Sequence, residues 1–243
     1  MSENLVIDIG NTLRKVAVFR GDQLLISKAT SDDLVQIIEQ FKFQFPEMKS
    51  AILSTVVKVD IHLIQYLKTN FNFLQFNHET PIPIKNLYKT PETLGKDRLA
   101  AAVGAKLVYP ASNVLIIDAG SSITFELLTK EGAYLGGIIS PGIHLRAKAL
   151  NQFTDQLPLV KPKRTVELIG RDTESCLQSG IVNGSIAEVN SMIADFSEQF
   201  NDLKIILTGG DAIYFEKSLK YNIFASENLV LQGLNYILEF NEL

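Results

Sequence analysis

One cysteine, no tryptophan and three histidines are spread over 243 residues. Cys176 alone excludes an internal disulfide and says nothing about metals. His62, His78 and His144 stand singly, so neither a histidine metal cluster nor a catalytic histidine dyad is expected. No stretch reaches the ~18–20 consecutive apolar residues of a membrane span. No basic segment followed by an apolar one opens the chain, and Asp8 interrupts the one candidate run, so no signal peptide is expected. Cations are not in excess: 23 Lys and Arg face 27 Asp and Glu, for a net charge of −4. That balance argues against a nucleic-acid surface, which needs clustered Lys and Arg. The expectation is a cytoplasmic protein with neither nucleic-acid nor membrane partners. Hydrophobic residues make up 46% of the chain, enough for a core and too many for disorder. The length suits one large domain or two compact ones of roughly 100–150 residues each.

The most informative pattern occurs twice. Leu5-Val6-Ile7 runs into Asp8-Ile9-Gly10-Asn11-Thr12, and Val114-Leu115-Ile116-Ile117 runs into Asp118-Ala119-Gly120-Ser121-Ser122. An apolar β-branched run ending in a carboxylate and a glycine predicts a buried strand entering a tight hairpin. Glycine lets backbone approach a ligand closely, and the turn N–H groups point at an anion. A hydroxyl adds a donor, and the carboxylate offers oxygen to a cation. One copy alone reads as an ordinary turn. The second, in the matching place, points to two hairpins holding the phosphates of a nucleotide between related lobes.

Each copy opens a meander of three strands, the first through 14–19 and 24–26, the second through 123–128 and 134–139. Ser31 is expected to cap a helix carrying Leu34, Ile37, Ile38 and Phe41 at helical spacing. Residues 51–57 read as a short buried strand, Asp60 as the start of another helix, and 71–76 as a strand. Residues 77–95 read as a loop, followed by a helix from about Asp97 to Val108. The second half adds a helix after Pro141-Gly142, a long helix from about Asp172 to Phe200, a buried strand at 203–207 and a closing helix with Leu231, Leu234, Ile237 and Leu238. The fold expected is α/β, with two similar lobes of mixed sheets flanked by helices, 1–108 and 109–243.

Further residues carry chemistry. Lys15, just past the first hairpin, is a point charge suited to phosphate oxygens. In Leu94-Gly95-Lys96-Asp97-Arg98, Asp97 falls in the first turn of a helix, where the dipole favours its ionised form. A carboxylate held there can accept a proton from a substrate hydroxyl. Arg98 can fork onto a substrate carboxylate or phosphate. Without the rest of the pattern these two residues read as a helix start and a surface arginine. Thr208-Gly209-Gly210-Asp211 exposes backbone against which a planar group such as adenine can lie. Gly180 and Gly184, one helical turn apart, permit close packing either inside the lobe or across a dimer.

Taken in order and spacing, these segments resemble the type III pantothenate kinases of the actin-like superfamily, which also holds acetate and sugar kinases. The resemblance runs nearly end to end and includes Tyr88, Gly136-Gly137-Ile138-Ile139-Ser140-Pro141-Gly142 and Gly170-Arg171-Asp172-Thr173. It implies the actin-like, ribonuclease-H-like form of the two lobes. It also implies ATP-dependent phosphorylation of pantothenate on its primary hydroxyl, the first step of coenzyme A synthesis. By resemblance, Asp8, Ile9, Gly10, Asn11, Thr12, Leu13, Arg14 and Lys15 form the phosphate hairpin, with Asp8 near Mg²⁺, and Ser121 contacts ATP. Asp97 is the general base. Tyr88, Gly95, Lys96, Asp97 and Arg98 form the pantothenate loop. Asp118 holds a monovalent cation, K⁺ or NH₄⁺, and Thr173 reaches pantothenate across a homodimer. The second hairpin departs from the family pattern: Gly120-Ser121-Ser122 stands where Gly-Thr and a small residue are usual, and Glu126 stands for an Asp. A sugar or acetate kinase of the superfamily would share the hairpins without the Tyr88 to Arg98 segment. A non-catalytic regulator would not need Asp8, Asp97 and Arg98 together.

Overall fold

The computed structural model describes residues 3–11 and 13–242. Its elements in chain order are β1 (Glu3–Ile9), β2 (Arg14–Arg20), β3 (Gln23–Thr30), α1 (Leu34–Gln44), β4 (Met48–Thr55), α2 (Ile61–Asn70), β5 (Asn72–Gln75), β6 (Lys85–Asn86), α3 (Lys96–Val108), β7 (Val114–Ala119), β8 (Ser122–Leu128), β9 (Ala133–Pro141), α4 (Ile143–Gln152), α5 (Thr173–Gln199), β10 (Lys204–Thr208), β11 (Phe224–Ala225) and α6 (Leu229–Glu242). Short 3₁₀ turns occupy Pro91–Thr93 and Ala212–Tyr214.

The duplication is visible in strand order. One sheet runs β3-β2-β1-β4-β5, and the other runs β9-β8-β7-β10-β11 with β6 added beyond β9. In both, the first two strands are antiparallel, and the first strand then pairs in parallel with the fourth. The meander and crossover are therefore repeated, which makes the fold α/β with two mixed sheets flanked by helices.

The chain divides into two compact units. The first takes the chain up to Pro110, Gly132–Tyr134 and the chain from Asn228 onward; the second takes Ala111–Glu131 and Leu135–Glu227. A second lobe of 109–243 was expected from sequence, so the last helix is the difference: α6 packs within the first unit, on α3, β1 and β4. The reason is backbone shape. A Cβ on Gly233 would lie 1.9 Å from the carbonyl oxygen of Ala100, and one on Gly104 would lie 2.4 Å from that of Leu229. Two glycines, one on each helix, let the backbones meet. α3 is buried almost all round from Arg98 to Ala105, as its alanine-rich sequence permits.

Within the first unit, Leu5 and Ile7 face α1 and α2 through Leu34, Ile38, Phe41, Leu63 and Leu67. In the second, Leu115, Ile117 and Phe125 pack against α4 and α5 through Ile143, Ala147, Ile181, Val189 and Ile193. Burying each of the Val, Leu, Ile and Phe side chains among them contributes roughly 1.5–3 kcal/mol. Local details differ from the sequence reading. Asp33, not Ser31, caps α1, accepting from the Val35 N–H at 2.9 Å. Strand β4 ends at Thr55, leaving Val56 and Val57 exposed beyond it. Gly180 and Gly184 have nothing within 4 Å of a built Cβ, so neither serves packing inside the unit.

Candidate active site

Strand register builds the first half of the site. Asp8 stands opposite Lys15 on the antiparallel neighbour β2 and opposite Ser54 on the parallel neighbour β4. Asp8 is partly buried, and its carboxyl is pushed up to about 6. Burial is the main cause and the negative charge of Asp97 the second, with Ser54 and Lys15 pulling the other way. The Ser54 hydroxyl is fully buried and closes no hydrogen bond of acceptable length and angle. Beyond Asp8, Ile9 is a core residue, while Asn11, Leu13 and Arg14 are exposed. The Gly10 N–H donates to the Leu13 carbonyl at 3.0 Å. Thr12 lies outside the described residues.

The loop entering α3 supplies the next groups. Gly95 is the N-cap and makes no side-chain cap bond. A Cβ at Gly95 would lie 2.6 Å from Asp97 Oδ1, so only glycine leaves that carboxylate its place. Asp97 Oδ1 accepts from the Arg98 N–H at 2.8 Å, and the residue is partly exposed. Lys96 Nζ donates to the Thr55 carbonyl at 3.1 Å, fastening the loop to the end of β4. Arg98 is 9% exposed, with its guanidinium 5.6 Å from the centroid of the Tyr88 ring. Behind Tyr88, at 6.3 Å between ring centroids, lies the fully buried Tyr134. The structure thus brings Asp8, Lys15, Tyr88, Gly95, Lys96, Asp97 and Arg98 into the first unit.

Asp118, Ser121 and Thr173 belong to the second unit. The Gly120 N–H donates to the Ser122 carbonyl at 2.9 Å, closing the second hairpin, with Ser121 exposed at its tip. Two other glycines press against this hairpin. A Cβ on Gly142 would lie 2.3 Å from the Gly120 carbonyl oxygen. Gly209, at φ 95°, would put one 2.4 Å from Asp118 Oδ1 and 2.2 Å from the Ala119 carbonyl oxygen. The positive φ and the close approach both require glycine there. Asp211 donates its N–H to the Ala119 carbonyl at 2.8 Å, and its carboxylate lies 3.5 Å from His144 Nε2. Burial raises the Asp211 carboxyl, and His144 partly offsets this. Glu126, the departure from the family pattern, is fully buried in β8. Thr173 is exposed at the start of α5, on a cavity of about 380 Å³ with Leu177 and Gly180.

Sequence reasoning missed Ser54, Tyr134 and the His144–Asp211 pair. Only Ser54 left a signal, a small polar residue closing an apolar run as Asp8 closes its own. Among the described residues no group of three or more His, Cys, Asp or Glu side chains converges as a metal site.

A family model described as type III pantothenate kinase matches residues 4–195. This chain belongs to that family. A type III pantothenate kinase of Christiangramia forsetii is 47% identical over 240 residues, covering 98% of this chain and 99% of the relative. Among solved structures, a conserved Campylobacter jejuni protein, provisionally named a Baf-family transcriptional activator, has a TM-score of 0.63 at 24% identity over 98% of both chains. A glucokinase from an Antarctic psychrotroph has a TM-score of 0.53 at 13% identity over 99% of both. At these identities the two structures show the fold alone, that of actin-like ATPases and sugar kinases. No helix among the described residues is long and apolar enough to cross a membrane.

Proposed function

We propose that this chain phosphorylates the primary hydroxyl of pantothenate with ATP as donor, opening coenzyme A synthesis in the cytoplasm, and that Asp97 is its general base. The observation that carries the assignment of roles is the proximity of Asp97 to Asp8. A carboxylate at a helix start acts on the charge of another at the end of the nucleotide hairpin. Asp97 receives the hydroxyl proton as the substrate oxygen bonds to the γ-phosphorus, while the bond to the β-phosphate oxygen breaks and ADP leaves with the electron pair. The first-turn N–H groups of α3 stabilise the ionised carboxylate. The Gly10 turn and Lys15 hold the phosphates, and Ser121 adds a hydroxyl from the second hairpin. Tyr88, Gly95, Lys96 and Arg98 orient pantothenate, so the rate comes mainly from positioning and charge neutralisation.

The residues present fit a divalent cation at Asp8. Burial and the nearby charge of Asp97 make ionised Asp8 costly there, and the Ser54 hydroxyl stands beside it. Mg²⁺ held by one or two carboxylates plus nucleotide phosphates would supply charge neutralisation at the γ-phosphate. At Asp118 the donor set is a carboxylate with the Ala119 carbonyl, in a cradle that a side chain at Gly209 would fill, which suits K⁺ or NH₄⁺. Activity in Na⁺ or Tris alone should then be low and rise on adding K⁺. A flat response would remove Asp118 from that role.

The function itself is tested by ADP release with and without pantothenate. Release that depends on pantothenate, with phosphopantothenate as the product, is expected. Nucleotide binding with no pantothenate-dependent release would favour a regulator instead, and release driven by a sugar or acetate would point to another kinase of the fold.

A further inference from the structure

The turn between β9 and α4 supports the second hairpin. The Gly142 N–H donates to the Ser121 carbonyl at 3.2 Å, and the absence of a side chain at Gly142 lets the two backbones meet. Three polar side chains from three elements grip that turn. Arg146 is the fourth residue of α4, and helical side chains slant toward the N-terminus, so it reaches back over the cap. Its Nε donates to the Pro141 carbonyl at 2.9 Å. Its Nη2 donates to Ser140 Oγ at 3.0 Å and to Glu188 Oε2 at 2.6 Å. The Ser140 hydroxyl donates to Glu188 Oε1, the other oxygen of the same carboxylate on α5. The Arg146 and Glu188 side chains are only 22% and 24% exposed, so solvent screens the pair in part.

The cluster is not needed to join the helices. Ile143 and Ala147 of α4 already pack with Ile181, Val189 and Ile193 of α5 in one apolar core. Nor does α4 gain from the cation. An Arg near a helix N-terminus opposes the dipole, and no acidic residue in the first turn offsets it. An ion pair taken partly out of water contributes little net stability, because desolvation cancels most of the attraction. What it supplies is direction: its remaining bonds end on Ser140 and Pro141, the two residues before Gly142.

We infer that Ser140, Arg146 and Glu188 form a positioning clamp for the nucleotide: by fixing the Pro141-Gly142 turn they hold the second hairpin so that the Ser121 hydroxyl meets the ATP phosphates. The inference rests on the nucleotide role given to Ser121 above.

The test measures binding of a nonhydrolysable ATP analogue with Mg²⁺ by calorimetry, the KM values for ATP and pantothenate, and the melting temperature. Arg146→Met alone strands the Glu188 charge and should lower the melting temperature, whereas Arg146→Met with Glu188→Met removes both charges and should restore it. In this double variant the analogue should still bind about three- to tenfold more weakly, part of what a lost hydrogen bond to a charged group costs. KM for ATP should rise alike, with KM for pantothenate unchanged. Ser140→Ala should show a smaller loss, which Ser140→Thr recovers. Combined with Ser121→Ala, the double variant should weaken binding no further, since the effect runs through Ser121.

Analogue binding by the double variant equal to that of the unmutated chain overturns the inference, because the pair then serves stability alone. A rise in both KM values overturns it too, because it reports a disturbed unit. A full further loss in the Ser121→Ala background overturns it by placing the effect elsewhere. If the double variant does not fold, Ser140→Ala, which leaves the ion pair in place, decides on the same readings. Binding by the unmutated chain is scored apart from turnover. If the analogue binds and pantothenate triggers no ADP release, the proposed function falls and the variants still decide this inference. If the analogue does not bind, both fall.

Discussion

Two carboxylates face different demands in one small volume. Asp97 must be ionised to take a proton, and it stands partly exposed in the first turn of a helix. Replacing it in Asp97→Asn keeps the size and the bond from the Arg98 N–H while removing the proton acceptor. Turnover should fall by roughly 10²–10⁴-fold with the melting temperature nearly unchanged. Single-turnover phosphorylation measured beside thermal unfolding checks both. Asp8 sits in the opposite situation, since burial and Asp97 make its charge costly. A carboxyl raised from 3.8 to about 6 in the folded state favours folding at pH below about 4, and that contribution is lost as pH rises through 6. Asp8→Asn should therefore stabilise the free protein at pH 8, by roughly 1–2 kcal/mol after screening, and the gap should close below pH 4. Urea unfolding at the two pH values measures it. The same variant should lose Mg²⁺-dependent nucleotide binding, which marks Asp8 as a site kept at the expense of stability.

At the level of elements, the crossing of α3 with α6 is the most exacting contact. Gly233→Ala would drive a methyl group into the Ala100 carbonyl, so the helices must part. A loss of about 2–3 kcal/mol is expected, lowering the melting temperature by roughly 5–10 °C in a chain of this size. Differential scanning calorimetry would report it. Nothing in the linear sequence marked this crossing, because the two glycines stand far apart and each alone is only a weak point in a helix. The hairpins were legible for the converse reason: apolar run, carboxylate, glycine and hydroxyl are all local. The helix starts at Asp60 and Asp172 were legible because a cap lies beside the turn it caps. Ser31 misled because Asp33, two residues on, competes for the same role and stands directly before the first buried residue, Leu34. In the site, Asp8, Asp97 and their loops could be read, whereas Ser54 could not be assigned to Asp8 before the parallel register of β1 and β4 was known.

For the molecule as a whole, α5 bears on assembly. Gly180 and Gly184 leave a flat, open stripe on a 27-residue helix whose first residue is Thr173. We propose an isologous dimer through this helix, with Thr173 of one chain completing the pantothenate site of the other. Tyrosine at both glycines should lower dimerisation and activity together, read by light scattering and by assay. Co-refolding an Asp97→Asn chain with a Thr173→Val chain should recover about a quarter of normal activity, since half the dimers are mixed and each mixed dimer has one intact site. Full activity in a monomer would rule the shared site out.

The return of α6 to the first unit has a consequence in time. A ribosome makes β1 to α3 first, then all of the second unit, and only afterwards the helix that α3 needs, along with Asn235, whose side chain accepts from Asn4. At ordinary elongation rates roughly ten seconds pass between the two. During that interval the emerging chain carries a half-covered sheet and a bare alanine-rich helix, both surfaces that chaperones hold. The unit begun first is thus the unit completed last. A nascent chain arrested just before Asn228 should show protease protection over the second unit and cleavage within α3.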